Sequence, residues 1–352
     1  MESVGQSSEG ISRRRLLGGM AAGGAALALG ALSGSAGATT KSVTTPRRSA
    51  KLPKGLQKII GFSQPDTTAA IWQPLMVGAQ EAANAAGYVL LRSHANSELD
   101  LQLAEIEDWI AEGAAGICVL PLDNNAIEPL VTQAHAKHIK MLDYSDTALP
   151  HVDGWVIFDN LQGASLVGTF AGQWVNKTLG GKAQVAMLTH NIQLTGRQRT
   201  QGCLAALQKV APGAKLVAQA EGVLSPQTIG PAQSMLEAHP DINVFICIAD
   251  EGCQGVLAAV NGTHPSAKRA SEIFICGFDG SVPTLQDIIE GTPVRATGAL
   301  PAIDVGKAVV EATLAAIEGR AAGAKVSFPY VLADDKTIGL DKKLIAESSV
   351  HV

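Results

Sequence analysis

The chain of 352 residues is poor in aromatic side chains and has no strong excess of either charge. Only 4% of its residues are Phe, Trp or Tyr, and 27 basic residues nearly balance 32 acidic ones, for a net charge of -5. No basic run occurs beyond the N-terminus, so the sequence lacks the electrostatic footprint of a nucleic-acid-binding protein. We therefore expect no nucleic-acid partner.

Motifs of common enzyme classes are also missing. The sequence has no strand-linked Gly-x-Gly-x-x-Gly, P-loop, Gly-x-Ser-x-Gly elbow or His-Glu-x-x-His. We expect no enzymatic activity, no catalytic residue and no cofactor, and an α/β enzyme remains the rival class. His135 and His138 have helical spacing without an evident third ligand, so no metal site is predicted either.

The five cysteines contain no Cys-x-x-Cys pair and have mostly apolar neighbours. Burial as small core residues is the default interpretation. In an oxidising compartment, a bridge between Cys247 and Cys276 is an alternative, provided that their strands adjoin and their side chains face each other.

The N-terminus has the pattern of an export signal. Three arginines, Arg13 to Arg15, precede a short apolar stretch diluted with Gly and Ala, and Ser12 to Leu17 matches the twin-arginine pattern. We predict a signal at residues 1–38, a tether at residues 39–56, and a periplasmic or otherwise extracytoplasmic location. The alternative is an uncleaved membrane anchor, although the stretch is short for a spanning helix.

Short apolar runs then alternate with helix-length segments, which predicts parallel sheets covered by helices on both faces. A break near residues 158–160 divides ten predicted strands into two groups of five, so we expect two doubly wound α/β lobes. The strands are predicted at residues 59–62, 88–92, 116–120, 140–144, 155–158, 183–189, 215–220, 244–248, 274–277 and 295–299.

Polar residues gather just beyond these strands, where open parallel sheets bind their ligands. The carboxylates and amide accept hydrogen bonds from hydroxyl groups, the arginine supplies a planar donor fork, and the scarce Trp72 could stack on a sugar face. The set therefore suits a small polyhydroxylated ligand. The candidate ligand-binding residues are Ser63, Trp72, Asp143, Tyr144, Asn160, Arg199, Asp250 and Asp279.

Each candidate also has a purely structural interpretation. An Asp at a strand end commonly caps the next helix. Arg199 could form an ion pair within the protein, and Trp72 could fasten its helix to the sheet. Their recurrence in both predicted lobes favours binding.

Between residues 57 and 331 the sequence resembles the periplasmic ribose- and galactose-binding proteins, the sugar-binding components of ATP-driven ABC importers. The resemblance depends on short segments that occur in order. They are Val77-Gly78-Ala79-Gln80-Glu81-Ala82-Ala83, Ala86-Gly87-Tyr88, Met141-Leu142-Asp143, Phe158-Asp159-Asn160, Gly196-Arg197-Gln198-Arg199-Thr200-Gln201-Gly202, His239-Pro240-Asp241, Ala249-Asp250-Glu251 and Gly277-Phe278-Asp279-Gly280.

The resemblance implies a type I periplasmic binding protein fold with three crossings between lobes, near Phe158, Leu300 and Phe328. The first lobe would comprise residues 57–158 and 300–328, and the second residues 159–299 and 329–352. It also implies a monomer that captures a sugar or polyol by hinge closure and delivers it to a membrane permease.

Several positions depart from the ribose-binding pattern, at Tyr144, Val223, Ala249 and Leu300. They replace polar or aromatic groups with different or more apolar ones, so we expect a ligand other than ribose, with fewer hydroxyls or a larger body. A periplasmic ligand sensor or adaptor for a chemoreceptor or sensor kinase remains an alternative. A sugar-responsive repressor would need a DNA-binding module where the predicted signal lies.

Overall fold

The computed structural model describes residues 52–93, 95–145, 149–191, 193–320 and 324–337. The predicted signal, and the predicted tether up to residue 51, lie outside these residues. Within them, no helix is long and apolar enough to cross a membrane.

The described residues form two six-stranded sheets. The order in the first sheet is β11-β5-β4-β3-β1-β2, and every pair in it is parallel. Its strands are β1 (Gln57–Ser63), β2 (Val89–Arg92), β3 (Ala114–Val119), β4 (Lys140–Asp143), β5 (Gly154–Phe158) and β11 (Ala324–Phe328).

The second sheet has the order β12-β10-β9-β8-β6-β7. Its pairs are parallel except at the edge, where β12 runs antiparallel to β10. The strands are β6 (Lys182–Thr189), β7 (Gly213–Glu221), β8 (Ile242–Cys247), β9 (Phe274–Asp279), β10 (Val294–Ala299) and β12 (Val331–Asp334). All ten predicted strands are present, and β11 and β12 are additional.

Helices cover both faces of each sheet, because each face carries its own buried apolar cluster. The helices are α1 (Trp72–Ala86), α2 (Leu99–Glu112), α3 (Asn124–Ala136), α4 (Asn160–Leu179), α5 (Leu194–Val210), α6 (Ser225–Ala238), α7 (Asp250–Gly262), α8 (Ala267–Ser271), α9 (Val282–Glu290) and α10 (Ala302–Ile317). Trp109 on α2 is buried in one of these clusters.

The chain passes between the sheets three times: after β5, after β10 and between β11 and β12. These strands end at Phe158, Ala299 and Phe328, close to the three predicted crossings. The predicted fold class, two doubly wound lobes with a three-crossing connection, is therefore confirmed. The residue boundaries of the lobes, 57–158 with 300–328 and 159–299 with 329–352, remain our proposal.

A close helix crossing brings α10 back onto the first lobe, where it packs on α1. The crossing depends on two glycines, Gly78 on α1 and Gly306 on α10. A Cβ on Gly78 would collide with the carbonyl of Ile303, and one on Gly306 with the carbonyl of Leu75. The segment after β10 therefore packs against α1 of the first lobe.

All five cysteines are buried and free. Cys247 belongs to a cluster on one face of the second sheet and Cys276 to the cluster on the opposite face. Although their strands are neighbours, the two side chains point apart, and the alternative of a bridge between them fails for this reason.

Candidate functional site

A cavity of ≈ 640 Å³ lies between the two lobes. Residues that follow β1, β3 and β4 form its wall on the first lobe, and residues that follow β6, β7, β8 and β9 form most of the opposite wall. Carboxyl ends of parallel strands converge there, as expected for a ligand crevice of this architecture. We call it the interlobe cavity.

Three predicted binding residues line the cavity: Trp72, Arg199 and Asp279. Trp72 begins α1 on the first lobe, and its indole Nε1 donates to Asp66 Oδ2 at 3.0 Å. Arg199 on α5 and Asp279 at the end of β9 lie on the second lobe. The cavity thus has an aromatic group on one side and a charged pair on the other.

Arg199 is held from several directions. Its Nε donates to Asn160 Oδ1 at 2.8 Å, its Nη1 to the carbonyl of Ile248 at 3.1 Å, and its Nη2 to the Tyr330 hydroxyl at 2.6 Å. The guanidinium also lies 5.3 Å from the ring centre of Phe278 and 5.6 Å from that of Tyr330. These contacts fix the donor fork before any ligand arrives, so little conformational entropy remains to be lost on binding.

Asp279 combines an unusual backbone conformation with a shifted pKa. Its φ is 116°, a value that L-residues rarely adopt and that is tolerated mainly where the surrounding structure enforces it. Burial raises the pKa of Asp279 to about 7, even though the neighbouring Arg199 guanidinium opposes the shift. The carboxyl therefore titrates near neutral pH while facing the cavity.

Two other predicted residues of the second lobe lie behind the cavity wall. Asn160 is buried, and its Oδ1 accepts from Arg199 and from the Tyr330 hydroxyl. Asp250 is fully buried and accepts from the backbone N–H of Ser281 and the hydroxyl of Thr297, both at 2.7 Å. Burial, with the nearby Asp279 carboxylate, raises the pKa of Asp250 well above its ordinary value.

The remaining predicted residues, all on the first lobe, are also fully buried behind the wall. Ser63 Oγ accepts from the Gln102 amide at 3.0 Å, and the Tyr144 hydroxyl donates to the Ser63 carbonyl at 2.7 Å. Asp143 Oδ2 accepts from the backbone N–H of Leu149 at 2.7 Å. Direct ligand contact by these five buried residues stays a prediction, while the structure shows them supporting the wall.

Helix capping explains few of the strand-end carboxylates. Asp159 does cap α4, by accepting from the N–H of Gln162 at 3.0 Å. No cap hydrogen bond comes from the side chain preceding α7 or α9, the helices beside Asp250 and Asp279. The Asp250 carboxylate instead accepts from Ser281 and Thr297, and the Asp279 carboxylate pairs with Arg199.

Residues absent from the predicted set also shape the cavity. Asp66 lines it and holds both Trp72 and the backbone N–H groups of Thr68 and Ala69. Glu251, on the opposite lobe, accepts from the backbone N–H of Ala70 at 2.8 Å and so joins the two lobes. Asp66 follows the end of β1 by three residues and Glu251 the end of β8 by four, so a wider window at each strand end would have included them.

No group of three or more His, Cys, Asp or Glu residues is arranged to hold a metal ion in the part of the chain that the structure describes. The cavity instead offers hydrogen-bond acceptors, one donor fork and an aromatic ring. Such groups recognise a polar organic molecule by shape and hydrogen bonding.

Two doubly wound lobes around a cavity define a two-lobed solute-binding architecture. Residues 60–321 match the family described as periplasmic binding protein domain. The chain belongs to that family, so the resemblance predicted from the sequence is confirmed.

Relatives and solved structures agree with this assignment. The ribose import binding protein RbsB of Bacillus subtilis is 25% identical over 280 residues, which cover 79% of this chain and 87% of that protein. A solute-binding protein from Actinobacillus succinogenes with bound D-allose shares the fold with a TM-score of 0.72, at 21% identity and over 80% and 99% of the two chains. The Caulobacter myo-inositol binding protein gives a TM-score of 0.73, at 20% identity and over 85% and 100%.

Proposed function

We propose that the protein is an extracytoplasmic receptor that captures a sugar or polyol in the interlobe cavity and delivers it to the permease of an ABC importer. The observation that carries the proposal is the placement of Trp72 on one wall and the Arg199–Asp279 pair on the other. A ring stacked on the indole would turn its hydroxyl groups towards the charged pair. The names of the similar proteins support the same ligand class.

In this proposal Trp72, Arg199 and Asp279 contact the ligand, with Ser63, Asp143, Tyr144, Asn160 and Asp250 as the remaining proposed site residues. The ligand bridges the lobes and stabilises a closed form, because only that form makes both sets of contacts. Glu251 already crosses the cleft to Ala70, so it supplies a protein contact that favours closure. No chemical step is required, and a monomer suffices.

A thermal-shift screen tests the ligand class, because a ligand that binds only the folded state raises its stability by mass action. Ribose, allose, arabinose, glucose, galactose and myo-inositol form one set, and amino acids and nucleosides form the other. We expect a concentration-dependent rise with members of the first set, lost in Asp279→Ala. A rise restricted to the second set would overturn the sugar assignment.

Export by the twin-arginine route is a separate part of the proposal, supported by Ser12 to Leu17. Replacing Arg13 and Arg14 together by Lys should leave the protein in the cytoplasm in cell fractionation. Unchanged export of that variant would refute the route while leaving the receptor function intact.

A further inference from the structure

Tyr330 is not among the candidate binding residues, and it lies at the third crossing between the lobes. It occupies the short gap between β11, which ends at Phe328, and β12, which begins at Val331. The cavity lining includes Arg199 but not Tyr330, whose side chain is 2% exposed. Tyr330 therefore stands behind the cavity wall, where its contacts act on the residues that form the wall.

The Tyr330 hydroxyl joins two residues of the candidate site. It accepts from Arg199 Nη2 at 2.6 Å and donates to Asn160 Oδ1 at 2.7 Å. Asn160 Oδ1 also accepts from Arg199 Nε at 2.8 Å, so the three side chains form a closed ring of hydrogen bonds. All three are buried, and an unsatisfied buried group is costly, so this ring holds the guanidinium in one orientation.

The aromatic ring of Tyr330 is fixed by close packing. It meets Phe278 edge-on, with 6.0 Å between the ring centres and 87° between the ring planes. A Cβ on Gly163 would lie 2.7 Å from atoms of the Tyr330 ring, so the glycine leaves the space that the ring fills. The hydroxyl is thereby placed by a rigid ring, which gives Arg199 an acceptor at a fixed position.

Gln162 fixes the backbone of Tyr330 as well. Its Nε2 donates to the Tyr330 carbonyl at 3.1 Å, and its Oε1 accepts from the Tyr330 N–H at 2.9 Å. Gln162 lies in the first turn of α4, which begins at Asn160 directly after the first crossing. The side-chain amide therefore ties the first crossing to the third, and Tyr330 extends that tie to Arg199.

The second crossing contacts the other member of the charged pair. Leu300, directly after β10, donates its backbone N–H to the carbonyl oxygen of Asp279 at 3.2 Å. Asn160 and Tyr330, at the other two crossings, hold Arg199. Each crossing is thus hydrogen-bonded to one member of the pair, so the proposed ligand contacts are built into the segments that connect the lobes.

We propose that Tyr330 is a positioning residue for ligand binding, which presents the donor fork of Arg199 to the ligand and links its orientation to the third crossing. The effect of Tyr330 on affinity passes through Arg199, because Tyr330 itself stays behind the wall. A guanidinium that is already held in its binding orientation loses little freedom when the ligand arrives. This inference rests on the proposed function and adds a residue that controls affinity from the interlobe connection.

The test is calorimetric titration of the full chain with whichever of ribose, allose, arabinose, glucose, galactose and myo-inositol stabilises the wild type most. Tyr330→Phe keeps the ring and removes the hydroxyl. We expect it to bind about five- to tenfold more weakly, because Arg199 loses one of its acceptors and the ligand must then order the fork. Tyr88→Phe is the matched control, since Tyr88 is a buried tyrosine of the first lobe outside the cavity lining. It should leave affinity unchanged within about twofold.

Combined variants distinguish positioning from a general loosening of the second lobe. Arg199→Lys keeps the charge but has no fork to orient, so adding Tyr330→Phe to it should weaken binding by less than about twofold. Adding Tyr330→Phe to Trp72→Phe, on the opposite lobe, should retain the full effect. A merely structural role would weaken binding by the same factor in every background. Gln162→Met, which releases the Tyr330 backbone, repeats the comparison if Tyr330→Phe fails to fold.

NMR of the arginine side chain measures the positioning without any ligand. The Nε–H signal of Arg199 is assigned by its absence in Arg199→Lys. Because this group is buried and hydrogen-bonded to Asn160, it should exchange slowly with solvent. We expect exchange at least about tenfold faster in Tyr330→Phe and an unchanged rate in Tyr88→Phe.

The outcomes separate the two proposals. Unchanged affinity of Tyr330→Phe, an equal loss in the wild-type and Arg199→Lys backgrounds, or unchanged exchange of the Arg199 Nε–H overturns the positioning role and leaves the sugar receptor standing. If none of the six compounds binds the wild type while Tyr330→Phe still speeds that exchange, the sugar assignment fails and the positioning of the fork stands.

Discussion

Nη1 of Arg199 lies 3.0 Å from Oδ1 of Asp279, and both side chains are at least nine-tenths buried. The pair sits in the cavity wall, where water screens charges weakly. Removing one member of a buried ion pair leaves the other charge uncompensated, which is far more costly than losing a surface pair. The stability of the fold therefore depends on keeping both members of the pair together.

Arg199→Met should lower the free energy of unfolding at pH 8 by about 3 kcal/mol, because the buried Asp279 carboxylate loses its partner. The matched control is Lys307→Met. It breaks an ion pair in which Lys307 Nζ lies 2.9 Å from Glu81 Oε2 and the two side chains are 40% and 56% exposed. That variant should change stability by less than about 1 kcal/mol. Urea unfolding measures both, and similar effects of the two variants would contradict the buried-pair account.

The raised pKa of Asp279 predicts a pH-dependent stability. Its carboxyl holds a proton up to about pH 7 in the folded protein, whereas the unfolded chain releases it near pH 4. The stability that this residue contributes is thus fully present below pH 4 and is lost as the pH rises to about 7. Asp279→Asn should remove that part of the pH dependence. Unfolding by urea between pH 4.5 and 8 tests it, and a stability difference between wild type and variant that stays constant with pH would refute the shift.

Much of the fold follows from local patterns in the sequence. Strand β3, with all six residues buried, appears as an uninterrupted apolar run, and the central strands β8 and β9 of the second sheet contain apolar runs at residues 244–247 and 274–278. Edge strands β11 and β12 were not predicted, because Ala324–Phe328 and Val331–Asp334 mix charged and apolar residues and lie partly exposed. Their pairing is decided by tertiary contacts.

The site could be predicted only in part. Position after a strand identifies Arg199 and Asp279, but it does not tell which side of the wall a residue occupies. Asp250 and Asp279 both follow the pattern, yet Asp250 turns inward to Ser281 and Thr297 while Asp279, at φ 116°, faces the cavity. The backbone geometry at the strand end decides whether such a carboxylate turns inward or faces the cavity. The spacing of residues in the sequence carries no information about that geometry.

Trp72 provides a spectroscopic test of ligand contact, since it is the tryptophan in the cavity lining. Binding of the sugar that stabilises the protein most should change the intrinsic fluorescence, and Trp72→Phe should remove that change and weaken binding several-fold. Trp174→Phe is the control, because Trp174 packs on Phe274 and Arg295 on the second lobe. A fluorescence change that disappears with Trp174 and persists without Trp72 would contradict the proposed stacking.

The crossing of α1 and α10 yields a prediction about stability away from the ligand. A methyl group on Gly306 would strike the Leu75 carbonyl, which belongs to the backbone and cannot turn aside as a side chain can. Gly306→Ala should therefore force the helices apart and lower the free energy of unfolding by about 2 kcal/mol or more.

Gly262→Ala is the matched control, because Gly262 is the last residue of α7, is followed by Thr263, and has open space around its Cβ position. Alanine there should raise stability by about 0.5–1 kcal/mol, through its better helix propensity. Urea unfolding of both variants at one pH measures the two effects, which should have opposite signs. If Gly306→Ala were also stabilising, the close approach of the two helices would be wrong, and with it the route by which α10 returns to the first lobe and brings Ala302 and Val305 to the cavity.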